Sequence, residues 1–376
     1  MIGRPFWHQR IDEAWEKAPI AWLSGVRRAG KTVLARSFPH AAYINCDLPS
    51  ATQQLANPEQ FFASLQASHL VLDEVHQLPD PSRLLKIAAD AFPKLKVLAT
   101  GSSTLAATRK FRDTLTGRKR EVRLTPVLFT ELAAFGVRDV TSRLQRGGLP
   151  PALLSTAFDA GFYNEWLDSY YARDVQELFA VEKRREFLLL VELLLRQSGG
   201  LFDATKLRRD TGLARPTVLS YLEVLELTHA AHILRPWSGG KRGELLRQPK
   251  VYGFDTGFVC HTQGWTELRS TDLGLLWEHL VLDELHAQFP AREVKFWRDR
   301  SQCEVDFVLP AGRDHCDAVE CKWNPESFDP DHLRLFRQIY PHGHNLVVSP
   351  SVTAPYRKRF GTLEVQFASP ANWKLG

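Results

Sequence analysis

Residues Gly25-Val26-Arg27-Arg28-Ala29-Gly30-Lys31-Thr32 follow an apolar run, Ile20 to Leu23, and precede a helical pattern carried by Val33, Leu34 and Phe38. An apolar strand that ends in a glycine-bounded turn and opens into a helix is the local geometry of a phosphate-binding P-loop. Glycines are needed because the backbone must curl close enough for successive N–H groups to face an anion. The spacing predicts that Lys31 reaches the β- and γ-phosphates of a nucleotide and that the Thr32 hydroxyl ligates Mg²⁺. ATP and magnesium are therefore the expected cofactors.

A P-loop needs acids to hold the metal and to polarise water, and Leu70-Val71-Leu72-Asp73-Glu74 ends a second apolar run with both. Asp73 is expected to hold Mg²⁺ through water, and Glu74 to act as general base toward the attacking water. At the end of the next apolar run, Ala99-Thr100-Gly101-Ser102-Ser103 brings hydroxyls that would orient water or sense the γ-phosphate at Thr100 and Ser102. The duller role for Ser102 or Ser103 is a helix N-cap. Arg118, in Thr116-Gly117-Arg118-Lys119, is a candidate arginine finger for a neighbouring subunit, with contact to DNA or solvent as the alternatives.

The surrounding pattern fits a parallel sheet. From Ile20 to about Phe135, short apolar runs alternate with amphipathic segments, the βαβ layout of strands covered by helices. Strands are expected at Ile20–Ser24, Ala42–Cys46, Leu70–Asp73, Val97–Thr100 and Glu121–Leu124, with helices near Lys31–Phe38, Glu59–Gln66, Pro81–Ala91 and Ser103–Phe111. The Gly/Pro cluster Gly147-Gly148-Leu149-Pro150-Pro151 interrupts this periodicity and suggests a domain junction.

Beyond it, a helical stretch rich in aromatics runs from Phe158 to Ala180. Arg185 to Phe254 then has the layout of a winged helix-turn-helix. Three helices are expected, the third opening at Arg215-Pro216 with Val218, Leu222 and Leu225 on one face. A hairpin over Ala230–Arg235 and Gln248–Phe254 would be the wing. In such a module Arg215, Thr217, Ser220 and Tyr221 would face a DNA groove and Lys241 and Arg242 would touch phosphate, while a protein-docking module or a lid on the nucleotide is the alternative. The expected organisation is an AAA+-like P-loop domain over 1–148, a helical linker over 149–184, a winged helix over 185–270 and an α/β domain over 271–376.

In that last region Asp306 of Glu304-Val305-Asp306-Phe307 and the triplet Glu320-Cys321-Lys322 match the D…ExK pattern of PD-(D/E)xK nucleases, and Glu278 on the preceding helix matches an extra acid some of them carry. There Asp306 and Glu320 would hold Mg²⁺ across a scissile phosphate while Lys322 helps activate water. The alternative is acidic strand ends and a surface ion pair. Taken in order, the P-loop, the Asp-Glu pair, Thr-Gly-Ser-Ser, Gly-Gly-Leu-Pro, Ala172-Arg173-Asp174, Pro249-Lys250-Val251-Tyr252, Asp255-Thr256-Gly257 and Glu-Val-Asp-Phe resemble prokaryotic AAA+-type ATPases with a C-terminal restriction-endonuclease-like domain of unknown function. The resemblance implies ATP binding, hydrolysis and an assigned but untested DNA role.

Composition narrows the remaining classes. A hydrophobic content of 44% gives each of two or three domains enough material for a core. Five cysteines without CxxC or Cys/His spacing support neither a disulfide framework nor a zinc site, and a cytoplasmic setting is expected. No stretch reads as a signal peptide or membrane span. The net charge of +5 is mild, yet basic residues cluster at 118–120, 183–185, 241–242 and 357–359. The expected function is that of an ATP-driven machine acting as an oligomer, with a ring as its candidate form, on branched or damaged DNA. Its rivals are an ATP-controlled switch docking a protein partner and a Mg²⁺-dependent endonuclease of a defence system.

Overall fold

The computed structural model describes residues 2–101, 109–176, 179, 181, 183–238, 248–312 and 315–375. The chain forms two compact units: Met1–Thr125 with Ser169–Ala180 and Leu227–His229, and the remainder, Pro126–Asp168, Val181–Glu226 and Ala230–Gly376.

The first unit is built on five parallel strands, β1 (Ile20–Ser24), β2 (Ala42–Asn45), β3 (His69–Asp73), β4 (Lys96–Thr100) and β5 (Lys119–Arg123), in the order β2-β3-β4-β1-β5. Strands covered on both faces must be apolar throughout rather than alternating, and all five residues of β1 are buried. Because the strands are parallel, the residues that follow β1, β3 and β4 lie at one edge of the sheet.

Helix α1 (Pro5–Lys17) was not expected from the sequence. Its buried Trp7, Ile11, Ala14 and Trp15 recur at helical spacing, and the Trp15 indole donates to the Val97 carbonyl at 3.0 Å. The helix after the P-loop, α2 (Lys31–Ala35), stops three residues earlier than expected. Pro39 disfavours helical geometry at Phe38, whose ring stacks on His8 at 4.3 Å and meets Trp15 edge-on at 5.3 Å. The distant segments complete this unit through buried Tyr171 and Val175 and a 2.5 Å hydrogen bond between the hydroxyls of Tyr170 and Thr228.

The second unit does not begin at the Gly/Pro cluster, which is a packed corner inside it. The Gly148 N–H donates to Asp255 Oδ2 at 2.6 Å, and Asp255 Oδ1 accepts from Gly257 at 2.8 Å. A Cβ on Gly148 would lie 2.4 Å from the buried guanidinium of Arg143. Glycine is required here by close approach, not by flexibility.

Helices Arg184–Arg196, Ala204–Thr211 and Arg215–Leu227 accompany a three-stranded antiparallel sheet of β6 (Gly200–Leu201), β7 (Ala231–Leu234) and β8 (Lys250–Gly253), in the order β6-β8-β7. The expected hairpin partners do pair, and Val218, Leu222 and Leu225 are buried together. Toward the C-terminus, helix Ser270–Gln288 precedes a six-stranded mixed sheet of β9 (Lys295–Arg298), β10 (Glu304–Pro310), β11 (Cys316–Cys321), β12 (Asn345–Val348), β13 (Tyr356–Phe360) and β14 (Leu363–Ala368), with helix Asp331–Ile339 before β12. The order is β13-β14-β12-β11-β10-β9. The edge strand β13 is exposed almost throughout, which is why no apolar pattern announced it. Among the described residues no helix is long and apolar enough to cross a membrane.

Candidate functional site

The P-loop leaves the buried end of β1 with Gly25 at φ 137°, where an added Cβ would lie 2.4 Å from the Leu124 carbonyl oxygen. Only glycine allows this turn against β5's continuation. The Lys31 ammonium folds back over the loop and donates to the carbonyls of Gly25 at 2.8 Å and Val26 at 3.1 Å. Burial lowers its pKa below the ordinary lysine value, opposed by the nearby carboxylates of Glu74 and Asp174. A triphosphate would replace the two carbonyls as the lysine's partner. From α1's start, Arg4 buttresses the loop by donating to the Ala29 carbonyl at 3.1 Å.

Asp73 closes β3 and is almost fully buried. Tyr43 donates its hydroxyl to Asp73 Oδ2 at 2.6 Å, and Thr100, at the end of β4, donates to Oδ1 at 2.5 Å. A carboxylate has about four lone-pair sites, so capacity for a metal-bound water remains. Thr100 also accepts from the Glu74 N–H at 3.0 Å. Its hydroxyl thus couples the Asp73 carboxylate to the Glu74 backbone. Ser102, the other hydroxyl candidate, lies outside the described residues.

Glu74 adopts φ 55°, ψ 45°, a left-handed conformation uncommon for a residue with a side chain and one that clusters at functional sites. Burial raises its pKa, with Lys31 and His76 pulling the other way. The His76 ring nitrogen Nδ1 lies 3.3 Å from its carboxylate. A raised pKa is what a proton acceptor for water requires.

Arg118 stands elsewhere. Its backbone carbonyl accepts from Ile20 and the next residue, Lys119, lies opposite Ile20, so it lies at the far end of β1 from the P-loop. The five residues of β1 correspond to about 16 Å at ~3.3 Å per residue. The guanidinium is held by Asp90 at 2.6 and 3.0 Å. Arg118 is therefore not a catalytic residue of its own chain's loop. The residue missed near that loop is Asp174, on the π-helical turn Tyr171–Gln176, whose Oδ2 receives the Arg27 Nε–H at 2.8 Å. Its sequence separation of 147 positions hid it, although the motif around it was visible.

In the second unit, the C-terminal acids do converge. Asp306 on β10 and Glu320 on β11 flank Lys322, whose Nζ lies 2.7 Å from Glu320 Oε2 and 3.6 Å from Asp306 Oδ2. Burial and the Asp306 charge push the Glu320 carboxyl up to about 8, and burial pushes Glu278 up to about 7. Three further residues went unread as site members. Lys250 Nζ contacts Glu304 closely and Glu278 at 3.5 Å, and the Tyr252 hydroxyl donates to Glu278. Burial alone would lower the Lys250 pKa, but Glu278, Glu304 and Asp306 outweigh it and raise the value. Among the described residues no group of three or more His, Cys, Asp or Glu converges so as to hold a metal ion. At the two acids expected to hold Mg²⁺, Lys322 engages Glu320 Oε2 and lies beside Asp306 Oδ2, while the buried Glu320 Oε1 has no hydrogen-bond partner among the described residues.

Of the residues expected to face DNA, Arg215 and Ser220 are exposed and Thr217 is half-buried. Tyr221 is not on that face: it is buried edge-on against Phe187 at 5.2 Å. It follows Ser220 by one residue, about 100° round the helix, which turns it into the core with Val218 and Leu222. Lys241 and Arg242 lie outside the described residues.

Comparison with known proteins matches three consecutive stretches of the chain. An AAA domain model matches residues 17–133. Two domains of unknown function, DUF8612 and DUF4143, match residues 137–269 and 273–365. Uncharacterized proteins of Mycobacterium bovis and of Mycobacterium tuberculosis are each 26% identical over 373 residues, covering 92% of this chain and 81% of theirs. Among solved structures, a Walker-type ATPase of Pyrococcus abyssi aligns over 70% of this chain and 96% of its own, at 17% identity and a TM-score of 0.45. A signal transduction ATPase with numerous domains from Pyrococcus horikoshii aligns over 77% of this chain and 46% of its own, at 16% identity and a TM-score of 0.30. The family match and the parallel sheet with its P-loop agree: residues 17–133 match an AAA domain and have an AAA-type ATPase-like fold.

Proposed function

We propose that the chain binds ATP with magnesium, hydrolyses it, and uses the cycle to act on DNA as an oligomer. The observation that carries the reading is the grouping of Lys31, Asp73, Thr100 and Glu74 beyond the carboxyl ends of β1, β3 and β4, where open parallel sheets bind ligands. Thr32 and Asp73 offer the hard oxygen donors that magnesium takes, and the bound ion would neutralise charge on the β- and γ-phosphate oxygens. Lys31 would exchange the Gly25 and Val26 carbonyls for phosphate oxygens. Glu74 would accept a proton from the attacking water at its carboxylate, with its backbone N–H anchored on the Thr100 hydroxyl.

DNA is supported by exposed basic residues on two adjacent helices, Lys206, Arg208 and Arg209 on Ala204–Thr211 and Arg215 at the start of the next. Arg118 would serve a neighbouring subunit's nucleotide once its pair with Asp90 opens. The test is ATP turnover measured alone and with branched, duplex and single-stranded DNA, alongside a salt-dependent binding titration with a non-hydrolysable ATP analogue. Stimulation by one DNA form, with affinity falling as salt rises, is expected. Turnover indifferent to every DNA form, with no binding, sinks the DNA assignment and leaves the ATPase.

A further inference from the structure

The acidic cluster of the C-terminal sheet draws its cations from the protein itself. Four carboxylates belong to it, Glu278, Glu304, Asp306 and Glu320. Lys322 is shared between Glu320 and Asp306, and Lys250 between Glu304 and Glu278. Part of the remaining capacity is also engaged, although the buried Glu320 Oε1 has no hydrogen-bond partner among the described residues. The Cys321 N–H donates to Asp306 Oδ2 at 2.7 Å, the Tyr252 hydroxyl donates to Glu278, and Arg298 reaches Glu304 at 3.3 Å.

Lys250 is the unusual member. Lysine is almost never fully buried unless paired, and this one is 4% exposed. It sits on β8, the central strand of its sheet, hydrogen-bonded on both sides to β6 and β7. Its ammonium lies 5.9 Å from the Tyr252 ring centroid and 5.5 Å from that of Phe296. A cation so placed is held by backbone pairing, by aromatic faces and by acids, not by a mobile surface stem.

We propose that Lys250 Nζ is the resident cation of this cluster, excluding a divalent metal, so that the C-terminal fold is a metal-free scaffold rather than a nuclease centre. A dication would have to displace two ammonium groups and a phenol that the fold positions before any metal arrives. The donor set of a magnesium site is present, but Lys322, Lys250 and Arg298 already offset most of its charge.

The test uses the full-length, nucleotide-free protein titrated with Mn²⁺ and read by electron paramagnetic resonance. Any weak site at the P-loop is common to all variants, so differences report the C-terminal cluster. Wild type and Asp306→Asn are expected to take up Mn²⁺ equally. Lys250→Met, if it melts cooperatively, is expected to gain one site at least about tenfold tighter than any in wild type. A tight site in wild type that Asp306→Asn abolishes overturns the proposal, as does a folded Lys250→Met that gains nothing. Should Lys250→Met fail to fold, the wild type against Asp306→Asn comparison decides alone: equal uptake supports the proposal and a site present only in wild type overturns it. ATP turnover is not read, so the outcome is independent of the nucleotide site.

Discussion

At the scale of single residues, the nucleotide site depends on how one hydroxyl is used. Thr100 donates to Asp73 and accepts from the Glu74 backbone, so it couples the two acids. Thr100→Val should leave a buried carboxylate oxygen and an N–H short of partners, at a cost of about 1–3 kcal/mol. A lowered melting temperature together with reduced ATP turnover is expected; unchanged values of both would remove Thr100 from the site. Glu74→Gln, nearly isosteric, should lower turnover by about 10²–10⁴-fold while nucleotide affinity measured by calorimetry is kept. Lys31→Ala should weaken that affinity instead. Most of this was legible in the chain because a P-loop and an acid pair at strand ends are local patterns. The partners Tyr43, Asp174 and Lys250 were not, since each meets its site across the fold.

At the scale of elements, helix Ser270–Gln288 carries polar residues on nearly every side and still lies in the core. Glu284 on it is fully buried, accepting from the Thr130 N–H at 3.2 Å and from Gln288 at 2.6 Å. Burial pushes its carboxyl from 4.5 up to about 8. A folded-state pKa above the unfolded one means that stability is fully present below about pH 4.5 and lost as pH rises through about 8. The slope contributed by one such group is about 1.4 kcal/mol per pH unit within that window. Glu284→Gln keeps an acceptor for Thr130 and should flatten the decline of melting temperature between pH 5 and 8; a decline identical to wild type would show that Glu284 is ionised in the fold. Elements bounded by strong local signals, such as Pro81–Ala91 capped by Asp80, have the limits their residues suggest. Helix α1 and strand β13 escaped notice for opposite reasons. The first has an apolar face but flanks no motif, and the second has no apolar face at all.

At the scale of the whole molecule, the order of the chain and the order of its compact units differ. The first unit takes Ser169–Ala180 and Leu227–His229 from beyond the second unit's start, and these bring buried Tyr171 and Val175 and the Tyr170–Thr228 hydrogen bond. A fragment ending at Thr125 therefore lacks part of its own core. It is expected to show no cooperative melting transition and no nucleotide-dependent shift in melting temperature. A fragment that melts cooperatively and responds to ATP would show that the added segments are dispensable. The Gly147–Pro151 cluster suggests a domain junction because glycine and proline mark both joints and tight corners, and only the position of Asp255 and Arg143 distinguishes them.

What the linear chain determined by itself is the phosphate-binding turn, its acids and the parallel sheet behind them, because these follow from strand-end chemistry and hydrophobic period over a few neighbouring residues. What only the tertiary structure decided is which charges meet. Lys250 lies 28 residues before Glu278 and 54 before Glu304, and nothing in its neighbourhood along the chain marks it as their counterion. Electrostatic pairing acts over a few ångströms of space, and that proximity exists only once the strands have been laid against one another.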